Sequence, residues 1–254
     1  MNTINHQNSF GDSPARDARF KVVDTWQECA NFPEKDPRRV LEFMHRQMNE
    51  EMDATECSAR TIVDFPDAPW EVRMFLARQC ADEARHALIF SKLFQKRGGK
   101  LGEYPIMNFQ YRIICKIPTL VGRLAVQNRT FEAEGIDAIG FGIDEARNMG
   151  DDELADFFDG QFADEIMHVR CANEFLLELI AKEPRLALRV ATALTEATRS
   201  HAAVFGSDGA AVAKYTISEQ GRLEAGFRPE EVAASHRLAE QRRDRTGGHP
   251  TASG

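Results

Sequence analysis

Ala81-Asp82-Glu83-Ala84-Arg85-His86 and Ala163-Asp164-Glu165-Ile166-Met167-His168 are two copies of one pattern, A-D-E-x-x-H, 82 positions apart. Each copy sits in an apolar run with helical spacing. A Glu and a His three residues apart on a helix share one face, so one metal ion can take both. Around the first copy, Val72, Phe75, Leu76, Gln79, Phe90 and Leu93 fall on the same face as Glu83 and His86. Around the second, Phe158, Gln161, Phe162, Ala172 and Phe175 accompany Glu165 and His168. A charged Glu on an apolar face is costly unless it is paired or bound to metal. One E-x-x-H is usually a solvated surface; two on apolar faces point to a dinuclear site.

Two such helices supply only two carboxylates. A bundle that holds two metals this way draws one further Glu from each of two more helices. The third helical stretch offers Glu132 and Glu134. Glu132 shares its face with Val121, Ala125, Asn128, Ile136, Ile139 and Ile143, whereas Glu134 shares its own with Thr130, Phe131, Asp137, Phe141 and Glu145. Glu132 is on the drier face. The first helical stretch offers Glu50, Glu51 and Glu56. Glu51 keeps company with Val40, Met44, Ala54, Ser58, Ile62 and Phe65, and Glu50 with Arg46, Asp53 and Asp64. Glu51 is preferred; Glu50 and Glu56 stay open as replacements, and Glu56 also as a neighbour of the site. Glu51 lies 15 residues before Pro66 and Glu83 lies 14 after Pro69, so the two face each other across a helical hairpin. Strict repeat spacing would pair Glu50 with Glu132 instead. The expected metal ligands, which are also the expected catalytic residues, are Glu51, Glu83, His86, Glu132, Glu165 and His168.

Charge supports this set. Four carboxylates and two divalent ions cancel, leaving the imidazoles neutral. Asp82 and Asp164, next to the ligand glutamates, are placed to accept the free ring N–H of the histidines across the bundle.

The periodicity predicts an all-α chain. An arm over residues 1–35 carries Phe20, Val22, Val23 and Trp26 as anchors. Asp36-Pro37 starts a helix reaching about Phe65. Pro66-Asp67-Ala68-Pro69 turns into a second, from Trp70 to about Arg97, stopped by Gly98-Gly99. Residues 98–118 have no clean period and can serve as a crossover. A third helix spans about 119–148 and a fourth runs from Asp151 or Asp152 to about Lys182. Pro184 opens another stretch to about Phe205. Shorter helices are expected near 210–222 and 229–243, and disorder from Thr246 to Gly254. The domain reading is an arm (1–35), a helical bundle (36–225), and a C-terminal helix with tail (226–254).

No apolar run approaches the ~18 residues of a membrane span. The polar start lacks the order of a signal peptide, and the expectation is a cytoplasmic protein without a membrane partner. Five cysteines without a C-x-x-C pair support neither a disulfide framework nor a thiolate zinc site. A net charge of -8 argues against nucleic acid as a partner.

Met48-Asn-Glu-Glu-Met-Asp-Ala-Thr-Glu56, Phe65-Pro-Asp-Ala-Pro69, Asp82-Glu-Ala-Arg-His86, Phe131-Glu-Ala-Glu-Gly-Ile-Asp137 and Asp164-Glu-Ile-Met-His-Val169 together resemble an uncharacterised bacterial ferritin-like family, a domain of unknown function. The likeness covers about residues 40–180. It implies a ferritin-like four-helix bundle with one long crossover, additional C-terminal helices, and a di-iron carboxylate site on the six residues above. One departure is Glu50, where the family's first motif would carry His.

The expected function is that of an oxidoreductase with two Fe ions, or Fe/Mn, that activates dioxygen to oxidise a small organic substrate by hydroxylation, desaturation or N-oxygenation. An external electron donor and a monomer or homodimer are expected with it. The alternatives are a ferroxidase or other iron-handling protein, and a hydroxylase of a modified tRNA base, since a known enzyme of that kind has the same ligand pattern. The segments beyond Pro184 and around Tyr104–Tyr111 are expected to cover the site and shape a substrate pocket, because Ile106, Met107, Phe109, Leu186, Leu188, Leu194 and Phe205 are too apolar for a linker.

Overall fold

The computed structural model describes residues 17–33, 35–205 and 216–246, with side chains up to residue 241. Among these residues the chain is helical, apart from one isolated parallel bridge between Val22 and Ile106. Helix α1 spans Arg38–Asp64, α2 Trp70–Lys96, α3 Phe109–Cys115 and α4 Leu120–Val126. A π turn over Gln127–Glu132 joins α4 to α5, Ala133–Asn148. Helices α6 (Asp152–Lys182), α7 (Leu186–Phe205), α8 (Glu219–Glu224) and α9 (Pro229–Thr246) follow. No helix among the described residues is long and apolar enough to cross a membrane.

Local chemistry sets the boundaries. The Asp36 carboxylate accepts the Arg38 N–H at 2.9 Å from one residue before the N-cap of α1, which is Pro37 rather than the expected Asp36. The Asp151 carboxylate caps α6 through Leu154 N–H at 3.2 Å. Gly98 and Gly150 take positive φ (88° and 70°) after α2 and α5, a conformation that costs glycine little. The third helix of the sequence reading is therefore one helical run with a π turn inside it. A π turn inserts one residue into the helical repeat and often marks a functional site.

Helices α1 and α2 form one hairpin, and α5 and α6 another. Their shared interior has two apolar layers. Met44, Met48, Phe90, Phe94, Ile139, Ile143, Leu154 and Phe158 fill one end. Val72, Leu76, Val121, Leu124, Ala125, Ala172 and Leu176 fill the other. Each large side chain so buried contributes roughly 1.5–3 kcal/mol, which offsets the cost of the polar layer between them.

The crossover lies along α1. Asn49 Nδ2 donates to Met107 O at 2.7 Å, and Tyr111 N–H donates to Asp53 Oδ2 at 3.2 Å. Ile113 and Ile114 pack with Val126 and with Ala193 and Ala197 of α7. A Cβ on Gly122 would stand 2.9 Å from Ala193 Cβ, so α4 and α7 meet through small residues. Two expectations are corrected here. Asp53, grouped with the wetter face of α1, is buried because the crossover covers it. Leu188, expected to pack, is 71% exposed because α7 buries only a narrow stripe; Leu194 is exposed as well.

The C-terminal helices close over the α5–α6 hairpin. Asp137 accepts Ser218 N–H at 2.9 Å and Arg222 Nη2 at 2.6 Å. Asp137, assigned to the wet face of its helix in the sequence, is buried for that reason. Part of the expected 210–222 helix, the tail from residue 247 and the first 16 residues lie outside the described residues.

Candidate metal centre

Between the two apolar layers the four long helical runs each turn one or two ligands inward. The six expected residues converge. Glu51, Glu83, His86 and Glu165 offer ligand atoms that all lie within 4.8 Å of one another, and so do Glu83, Glu132, Glu165 and His168. All six are buried, Glu83 completely and His86 to 99%. Glu83 and Glu165 belong to both groups, so the carboxylates of the repeated motif stand between two potential ion positions. Glu51 with His86 completes one position; Glu132 with His168 completes the other.

The neighbouring glutamates are placed elsewhere. Glu50 pairs with Arg46 at 2.9 Å. Glu134 is exposed, and Glu56 is half-buried and belongs to neither group.

Both histidines turn Nδ1 toward the carboxylates. His86 Nδ1 is 3.1 Å from Glu83 and 3.5 Å from Glu51; His168 Nδ1 is 3.1 Å from Glu165 and 3.2 Å from Glu83. Their Nε2 atoms face outward to carboxylates of the opposite motif. Asp164 Oδ2 is 3.1 Å from His86 Nε2, and Asp82 Oδ2 is 3.3 Å from His168 Nε2. These crossed contacts fit α2 and α6 running antiparallel. A carboxylate on Nε2–H fixes the tautomer that leaves Nδ1 free to bind a cation.

Three amides absent from the expected ligand set complete the layer. Gln161 Nε2 donates to Glu51 Oε1 at 2.8 Å. Gln79 Nε2 donates to Glu132 at 3.0 Å and to Glu83 at 3.1 Å. Gln127 Nε2 donates to Glu132 Oε1 at 2.6 Å. The signal for two of them was present: Gln79 and Gln161 each stand four residues before a motif Glu, on an apolar face. Gln127 gave no such signal. It reaches Glu132 across the π turn, which the helical period cannot reveal.

Burial and mutual repulsion set the protonation of the cluster. Burial, with repulsion from Glu83 and Glu165, pushes the Glu51 carboxyl up to about 8, against the pull of His86. Burial and the same two carboxylates push Glu132 well above the usual range. Glu83 is held below it, because His168 and His86 outweigh the burial penalty. Burial disfavours charge on His86 too, yet Glu51 and Glu83 raise it to about 11. Two divalent cations would balance the four carboxylates and leave the layer neutral. The donor set is four carboxylates and two imidazoles with no thiolate, a set suited to iron or manganese.

Fold and site define a helical-bundle protein with a buried carboxylate–histidine cluster able to hold metal. The chain belongs to the family described as protein of unknown function (DUF455), whose model matches residues 1–233. Neither the curated proteins nor the solved structures contain a match.

Proposed function

We propose that this protein is a ferritin-like, dinuclear non-haem iron (or iron/manganese) oxidoreductase that activates dioxygen to oxidise a small organic molecule. The observation that carries the reading is the sharing of Glu83 and Glu165 between two four-residue ligand groups. Glu51 and His86 would hold one ion and Glu132 and His168 the other, with Glu83 and Glu165 within reach of both. When bound, two ferrous ions supply two electrons for the reduction of dioxygen. Asp164 and Asp82 orient the imidazoles, and Gln161 and Gln79 restrain the terminal glutamates. The flanking aromatic layer, with the Phe90 and Phe157 ring centroids 4.8 Å apart and Phe157 edge-on to His86, would limit water at one end of the cluster.

A second reading, ferroxidase or iron handling, draws on the same ligand set, which suits iron whether or not an organic substrate is present. One experiment separates the readings. The purified protein is loaded with Fe(II) without oxygen, its metal content and assembly size are measured, and oxygen uptake is followed. Two irons per chain, rapid uptake and a monomer or dimer support the oxidoreductase. A very large hollow assembly that accumulates iron beyond two per chain supports the second reading. At most one metal per chain defeats both.

A further inference from the structure

Outside the ligands, and among the described residues, one cation touches both halves of the site. Arg85 lies in the first motif, between Glu83 and His86, yet its side chain is 51% exposed. Its Nη2 is 2.5 Å from Asp164 Oδ2 and 3.2 Å from Asp82 Oδ1. Those two aspartates support the two histidines, Asp164 on His86 and Asp82 on His168. A continuous chain of polar contacts therefore runs His86–Asp164–Arg85–Asp82–His168 around the outside of the cluster. The two aspartates are not equally provided for. Asp82 also receives Arg78 Nε at 3.4 Å and is only 11% exposed in its side chain, whereas Asp164 is 21% exposed.

We propose that Arg85 is a positioning residue for the dinuclear centre: it clamps the aspartates of both motifs together and thereby holds both imidazoles on their ions, the Glu51–His86 position depending on it most. This rests on the dinuclear reading above. The physical reason is competition with water. Asp164 at the surface can rotate into solvent, and a carboxylate that leaves Nε2–H frees the imidazole to turn. One guanidinium fixed to both carboxylates removes that freedom, and its charge cancels repulsion between them. A cation near a metal site also repels the incoming ion. A surface charge without a positioning role would therefore oppose binding, and its removal would leave affinity unchanged or tighten it.

The two roles predict opposite signs. Co(II) is titrated without oxygen into wild type, Arg85→Gln, Arg85→Lys and Arg78→Gln, with the visible ligand-field bands recorded. The step belonging to His86 is identified as the one Asp164→Asn weakens. Arg85→Gln should weaken that step about tenfold, near the low end of what loss of an outer partner costs, and shift its bands. Arg85→Lys, which keeps a donor and a charge, should recover part of the loss. Arg78→Gln should leave the step unchanged. Wild-type binding of two Co(II) with unaltered or tighter binding in Arg85→Gln overturns the assignment of Arg85 alone. Failure of wild type to bind two Co(II) overturns it together with the dinuclear reading.

Discussion

Asp164 Oδ2 stands 3.1 Å from His86 Nε2, so the aspartate of the second motif supports the histidine of the first. Asp82 repays the contact at His168. A substitution in one motif should thus damage the ion position completed by the other motif's histidine. Asp164→Asn is expected to weaken binding at the Glu51–His86 position, and Asp82→Asn at the Glu132–His168 position, each by about 10–100-fold. Calorimetric titration of the metal-free protein resolves the two steps. Loss at the same step in both variants would contradict the crossed support.

Glu132→Gln tests the ligand assignment on the third helical run. Gln79 and Gln127 both donate to Glu132 Oε1, and a glutamine there still presents a carbonyl oxygen to them. Burial already pushes the Glu132 carboxyl toward its neutral form. Metal-free thermal stability should therefore hold or rise, while iron uptake falls from two per chain toward one and oxygen uptake is lost. Glu134→Gln, on the exposed face, should alter neither. Normal oxygen uptake in Glu132→Gln with loss in Glu134→Gln would mean the wrong face was assigned.

Much of this site was legible because its signals are local. Glu83–His86 and Glu165–His168 are three-residue spacings on apolar faces, and the drier face singled out Glu51 and Glu132. The crossed aspartates followed from their place beside the ligands. What the sequence hid depends on contacts between distant segments. Asp53 looked solvated until the crossover placed Tyr111 N–H on it, and Asp137 until Arg222 arrived from 85 residues away. The π turn left no mark, because Val121, Ala125, Asn128 and Glu132 satisfy a helical face with or without it.

His45 predicts a pH dependence away from the metal centre. The ring is fully buried among Phe20, Phe94 and Tyr104, and Nε2 accepts Gly102 N–H at 2.9 Å. Burial lowers its pKa to about 4, with Glu103 opposing weakly. The folded state thus keeps His45 neutral where the unfolded chain, near pKa 6.5, takes a proton. Its contribution is complete above about pH 6.5 and is lost as pH falls toward 4, by on the order of 2–3 kcal/mol. Urea unfolding of wild type and His45→Gln at several pH values checks this. The difference in stability between them should change across pH 4–6.5 and stay constant above; a flat difference throughout would refute it.

Asp137 and Arg222 form the buried ion pair that fastens the C-terminal helices to α5. Their contact is 2.6 Å, with side chains 8% and 10% exposed. Phe227 lies under the Arg222 guanidinium at 5.4 Å, and Ser218 N–H uses the same carboxylate. Removing the acid alone leaves a buried cation and an unpaired N–H. Asp137→Ala should cost about 3 kcal/mol, which lowers Tm by roughly 6–12 °C in a chain of this size. Limited proteolysis should then release the segment from Ser218 onward. Replacing both partners, as Asp137→Leu with Arg222→Met, should recover most of the loss, because the desolvation cost disappears with the charges. Metal uptake should survive the double substitution, since neither residue belongs to the ligand groups. A single Asp137→Ala variant as stable as wild type would show that hydrophobic contacts through Ala225, Phe227 and Val232 hold the segment without the ion pair.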